Sequence, residues 1–125
     1  MKVLIVDDDR PMRELIKRII GDLVDEFCDC DGGWDALAVH DAGHLHGLLP
    51  DWVLMDIRMK DGDGLATTQQ IMTAHPSARI LIVTSYNDAS LREAARKAGA
   101  RGYVLKENLL EIRRWLEQDA GEQGK

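Results

Sequence analysis

The sequence predicts an α/β fold in which one parallel sheet is covered by helices on both faces. Strand-like and helix-like segments alternate from end to end, the pattern of a parallel sheet with crossover helices. Four of the strand candidates are apolar runs, VLIV (3–6), WVLM (52–55), ILIV (80–83) and YVL (103–105), as expected for strands buried on both faces. Each run also stops at a reactive side chain: Asp7-Asp8-Asp9, Asp56, Thr84 and Lys106 respectively. Ligands of such sheets bind beyond the carboxyl ends of the strands, so these groups are expected to converge at one edge.

Taken in order, residues 2–6 form the first strand. Met12, Leu15, Ile16, Ile19 and Ile20 then recur at helical spacing, with Pro11 in the first turn and Gly21 at the end. A less apolar second strand is expected over 24–30, then a helix from about Gly33 to Ala42 whose Trp34, Leu37 and Ala38 offer a modest apolar face. Pro50 precedes a third strand at 51–55, and KDGDG (60–64) is a turn cluster leading into a helix from Leu65 to about Ala74, closed by Pro76. The fourth strand is expected at 79–83. The fourth helix, Ala89 to Ala98, packs through Leu91, Ala94, Ala95 and Ala98 and ends at Gly99. A short fifth strand, 102–105, leads to the fifth helix, with Leu109, Ile112, Trp115 and Leu116. Trp115 is read either as packing or as the mark of a partner surface. The chain is thus one domain over 1–118, with 119–125 (DAGEQGK) a flexible tail or the start of a linker.

A chain of 125 residues is long enough to bury a real core. Its 16 Lys and Arg against 22 Asp and Glu give a net charge of −6, which argues against gripping nucleic-acid phosphates directly. No apolar stretch approaches the ~20 residues needed to span a bilayer, and Met1-Lys2 leads straight into a strand, so the expectation is a cytoplasmic protein with no membrane partner. Cys28 and Cys30 lie two apart on one strand, pointing to the same face and badly placed to bond each other. With His40, His44 and His46 they match no zinc spacing, and edge-strand packing is the preferred reading.

The strand-end acids carry the chemistry. If Asp7, Asp8 and Asp56 lie within ~5 Å of one another, each ionised pair repels by roughly 3 kcal/mol at an effective dielectric of about 20. A divalent cation offsets that cost, and oxygen-only donors favour Mg²⁺. A carboxylate beside such a metal can act as a nucleophile toward phosphorus. Asp56 stands alone at its strand end and is the candidate, while Asp7 and Asp8 form a pair suited to an ion. Lys106 and Thr84 offer an ammonium and a hydroxyl to phosphoryl oxygens. Asp9, just before Arg10-Pro11, is read as a helix cap or turn former.

The motifs LIVDDDRPMREL, PDWVLMDIRMKDGDG, ILIVTSYND and GARGYVLKEN occur together in the order and spacing of a known family. Over nearly its whole length the chain resembles the response-regulator receiver domain of bacterial two-component systems, most of all receivers that precede helix-turn-helix transcriptional regulators. The resemblance implies a flavodoxin-like (βα)5 fold with strand order 2-1-3-4-5. It implies that Asp56 accepts a phosphoryl group from a sensor histidine kinase, with Mg²⁺ (or Mn²⁺) held by Asp7, Asp8, Asp56 and the backbone carbonyl of Arg58. Thr84 becomes the switch hydroxyl, Lys106 the family's lysine, and Tyr103, three residues before it, the aromatic switch. Arg58 and Tyr86 fall at positions that tune hydrolysis in the family, and Ser85 is small enough to leave the phosphoryl group open to water. Many receivers carry Pro where this chain has Lys60.

The expected output is binding rather than turnover, with homodimerisation through the fourth helix, fifth strand and fifth helix, and with DNA reached only through a C-terminal domain beyond Lys125. A standalone receiver is the variant reading. A phosphatase of the haloacid dehalogenase type, with Asp7 as nucleophile and Asp9 as acid, is the enzyme alternative; it lacks the hydroxyl expected after its DxD motif and leaves Asp56 without a role.

Overall fold

The computed structural model describes residues 1–32, 36, 40, 49–60 and 62–123, with side chains to residue 118. Of the expected second helix only Ala36 and His40, both helical and buried, are described; its other residues, Trp34 among them, and His44 and His46 lie outside the described residues. Five parallel strands, β1 (Lys2–Val6), β2 (Glu26–Cys30), β3 (Trp52–Met55), β4 (Ile80–Thr84) and β5 (Gly102–Leu105), form one sheet in the order β2-β1-β3-β4-β5. Pairing is in register from Val3 opposite Phe27 and Trp52 to Thr84 opposite Leu105.

Alternation along the strands divides the core in two. Val3, Ile5, Trp52, Leu54, Leu81, Val83 and Val104 face Ile16 and Ile20 of the Arg10–Ile20 helix and Ile112 and Leu116 of the Glu111–Gln123 helix. Leu4, Val6, Val53, Met55, Ile80 and Ile82 face Ile71 of the Gly64–Ala74 helix and Ala95 of the Ala89–Ala98 helix. The continuous apolar runs are explained by this two-sided burial. The edge strand β2 buries only Cys30 fully, in keeping with its mixed sequence. Cys28 and Cys30 are not disulfide-bonded and pack on the same side of the sheet.

Local signals fix the helix ends. Asp63 and Asp88 accept the Leu65 and Leu91 amides at 2.9 and 3.0 Å as N-caps. Gly99, at φ 105°, closes the fourth helix in the left-handed region that an L side chain resists. Two readings need correction. Asp9 occupies the N-cap of the first helix, but its side chain makes no capping hydrogen bond. Leu15, at the margin of the apolar stripe, is 41% exposed because Ile16 and Ile20 fill the contact with the sheet. The final helix runs from Glu111 to Gln123. Trp115 is a packing residue: its ring covers Gly102, where a Cβ would come within 2.4 Å of it, and meets Trp52 edge-on at 6.4 Å.

Candidate functional site

Two strand ends deliver the acids. β1 ends at Val6, so Asp7 and Asp8 follow at the carboxyl edge; β3 ends at Met55 and presents Asp56 beside them. The backbone fixes both positions, since the Asp7 amide bonds the Cys30 carbonyl at 3.1 Å and the Asp56 amide the Val6 carbonyl at 2.9 Å. Oxygens from Asp7, Asp8 and Asp56 lie within 4.8 Å of one another, matching the separation assumed from sequence. Asp7 and Asp56 are buried, Asp8 half-buried.

The sequence left these acids without a protein partner, and here it needs correcting. Lys106, from the end of β5, places Nζ 2.9 Å from Asp7 Oδ2 and 3.2 Å from Asp56 Oδ2. Three formal negative charges still face one ammonium, leaving two uncompensated, the charge of one divalent cation. Asp56 registers the imbalance: burial first, then the charge of Asp7, pushes its carboxyl up to about 6 against the pull of Lys106. Burial works against the Lys106 ammonium, but its hydrogen bond to Asp7 and the charges of both acids outweigh that, so its pKa is raised. The donor set, hard oxygens within reach of one centre, fits Mg²⁺. Among the described residues no other cluster of three or more His, Cys, Asp or Glu has such geometry, and Asp9 does not join this one.

Around the acids sit the switch candidates. Thr84, fully buried at the end of β4, accepts the Tyr86 amide at 3.3 Å through Oγ1. Tyr103 donates its hydroxyl to the Tyr86 carbonyl at 2.6 Å. Burial raises the Tyr103 pKa. Two arginines cover this pair: Arg58 stacks on the Tyr86 ring at 4.7 Å and Arg92 on Tyr103 at 4.6 Å.

Several supporting groups were invisible in one dimension. Arg13 donates to the Asp7 carbonyl at 2.6 Å and to Asp29 at 3.2 Å, tying the first helix to the ends of β1 and β2. Gly64 fits against the Asp56 carbonyl so closely that a Cβ would lie 1.8 Å from its oxygen. The DG pair at 63–64 was the one sequence signal for this contact, and it was read only as a turn.

Against known proteins, the sequence matches the response regulator receiver domain over residues 3–116. The chain belongs to that family. As a receiver domain, it is a phosphorylation-operated signalling module of two-component systems. It is 34% identical over 107 residues to the chemotaxis protein CheY of Listeria monocytogenes, covering 85% of this chain and 86% of CheY. It is 32% identical to the DNA-binding transcriptional activator DevR/DosR of Mycobacterium tuberculosis, covering 86% of this chain but 48% of that one. The solved DNA-binding response regulator of the LuxR family from Staphylococcus aureus superposes with a TM-score of 0.80 at 25% identity, covering 94% of this chain and 96% of that one. Receivers bind Mg²⁺ or Mn²⁺ at an acidic pocket, and the cluster of this receiver has the chemistry for it. No described helix is long and apolar enough to cross a membrane.

A cation bound by this acidic cluster would compete with a proton for Asp56. Below pH 6 the Mg²⁺ affinity is expected to fall about tenfold per pH unit, as one proton is displaced on binding. Titration calorimetry from about pH 7.5 down to about pH 5 checks this; an affinity flat across that range would remove Asp56 from the ion's ligands.

Proposed function

We propose that Asp56 is the phosphoacceptor of this receiver, that Asp7 and Asp8 complete a cation site with it, and that Thr84 and Tyr103 convert its modification into a change of surface. The observation that carries this is the meeting of three carboxylates within 4.8 Å, with Lys106 bridging Asp7 and Asp56. When bound, Mg²⁺ or Mn²⁺ on Asp7, Asp8, Asp56 and the Arg58 carbonyl neutralises the excess charge and orients phosphoryl oxygens. A carboxylate oxygen of Asp56 attacks the phosphorus of a sensor histidine kinase's phosphohistidine. The O–P bond forms as the P–N bond breaks, and the electron pair leaves with the imidazole. Lys106, already 3.2 Å from Asp56, stays to meet the phosphoryl charge. Release of the Thr84 hydroxyl from the Tyr86 amide toward the phosphoryl group loosens the segment that receives Tyr103, which couples site to surface.

The domain proper is proposed to span 1–118 and to act in the cytoplasm. The surface of the Ala89–Ala98 helix, β5 and the Glu111–Gln123 helix is the proposed partner and homodimer face. The chain spans about half the length of the DNA-binding relatives but most of CheY, and we favour the receiver of a DNA-binding regulator, with a standalone receiver as the second reading. DNA is then contacted only through a further C-terminal domain.

Incubation with acetyl phosphate and Mg²⁺ is expected to add one phosphoryl group by intact mass, and a chelator to prevent it; labelling that survives chelation would overturn the cation assignment. Lys106→Ala should still accept phosphate to a reduced extent yet lose the phosphorylation-dependent shift in dimerisation, read by light scattering. A normal shift would take Lys106 out of the switch.

A further inference from the structure

Lys60 stands where many receivers carry Pro, and a residue other than Pro brings a backbone N–H. In this chain that N–H donates to Asp8 Oδ2 at 2.9 Å, across 52 positions of sequence. The hairpin that carries it is short: Arg58 and Met59 pair antiparallel with Asp63 and Gly62, and Gly64 N–H closes it on the Ile57 carbonyl at 2.6 Å. The amide therefore reaches Asp8 from a braced segment of the chain that also carries Asp56.

Each acid of the cluster is oriented differently. Asp7 takes the Asp9 amide on Oδ1 and Lys106 on Oδ2. Asp56 takes the Ile57 amide on Oδ1 and Lys106 on Oδ2. Asp8 is more exposed than either, and its orienting donor is the Lys60 amide. A half-exposed carboxylate loses rotamer freedom when it ligates an ion, and a donor that fixes it beforehand removes that cost from binding. The bond leaves Oδ1 and the remaining lone pair of Oδ2 available.

We propose that the backbone amide of Lys60 is a positioning group for the cation site, pre-orienting Asp8 for Mg²⁺ in a way that a proline at this position cannot. The inference rests on the reading of the acidic cluster as that site. It assigns the effect to the main chain and not to the ammonium, so two substitutions separate them: Lys60→Pro removes the N–H, whereas Lys60→Ala keeps it.

By titration calorimetry, Lys60→Pro is expected to weaken Mg²⁺ binding about tenfold and Lys60→Ala to stay within about twofold of wild type. Equal losses in both variants, or an unchanged affinity in Lys60→Pro, would overturn the proposal. Two measurements on the intact hairpin stand if the proline variant misfolds. In wild type the Lys60 amide resonance should move with Mg²⁺ at the calorimetric Kd, and its hydrogen exchange should quicken about tenfold in Asp8→Ala. A resonance that ignores Mg²⁺, or an exchange rate that ignores Asp8, would refute it. Failure of the wild type to bind Mg²⁺ would instead sink the cation site itself, and this inference with it.

Discussion

Asp56→Asn is expected to abolish phosphoryl incorporation from acetyl phosphate while leaving the protein folded and more stable without metal. The amide lacks the nucleophilic carboxylate oxygen but keeps the shape of the side chain, so the loss should be complete by intact mass. The stability follows from linkage. Burial and the charge of Asp7 push the Asp56 carboxyl up to about 6, from the 3.8 of an ordinary aspartate. Between these values the folded chain holds the proton more tightly than the unfolded chain. The group imposes no penalty below the unfolded pKa, a growing one as pH rises through the window, and its full penalty above 6. Removing the charge at neutral pH should stabilise the metal-free protein by on the order of 1–2 kcal/mol, after allowing for the weakened Lys106 contact. Urea unfolding at about pH 7.5 and about pH 5 checks the sign: the mutant's advantage should shrink at the lower pH. Labelling that persists in Asp56→Asn, or an advantage that grows on acidification, would reject the assignment of acceptor or of its environment.

Gly64→Ala should be the most damaging single methyl added near the site. A Cβ there would lie 1.8 Å from the Asp56 carbonyl oxygen, 2.8 Å from its carbon and 3.0 Å from the Ile57 Cα. All three are backbone atoms, so no side chain can swing aside, and either β3's end or the start of the Gly64–Ala74 helix must move. A cost of about 3 kcal/mol or more is expected, at the upper end of overpacking changes. Displacing the Asp56 carbonyl also shifts the carboxylate it carries, so phosphorylation should slow in whatever fraction remains folded. Denaturant unfolding alongside the phosphorylation rate provides the test. A variant of native stability and native rate would mean that this contact is looser than described.

How much of this was legible beforehand differs by residue. The β1, β3, β4 and β5 runs are apolar throughout because helices cover both faces, and that pattern survives in one dimension. Strand β2 reads poorly because an edge strand answers to solvent on one side, and Leu15 was misplaced because periodicity defines a stripe but not its margin. Asp7, Asp8, Asp56, Thr84 and Lys106 could be placed at one edge of the sheet from sequence because each ends or follows a recognisable strand. Arg13, Arg92 and the Lys60 amide were missed because they act on residues reached only by folding, through a carbonyl, a ring face and a carboxylate that leave no spacing rule.

By itself the sequence determined that a parallel sheet would form and that acids, a hydroxyl and an ammonium would gather at its carboxyl edge, since strand ends are read from local hydrophobicity. Only the tertiary structure decided how those charges balance. Coulomb interaction depends on separation and burial, and it took the placement of Lys106 between Asp7 and Asp56, with Asp8 held by a distant amide, to leave the site two charges short of neutral.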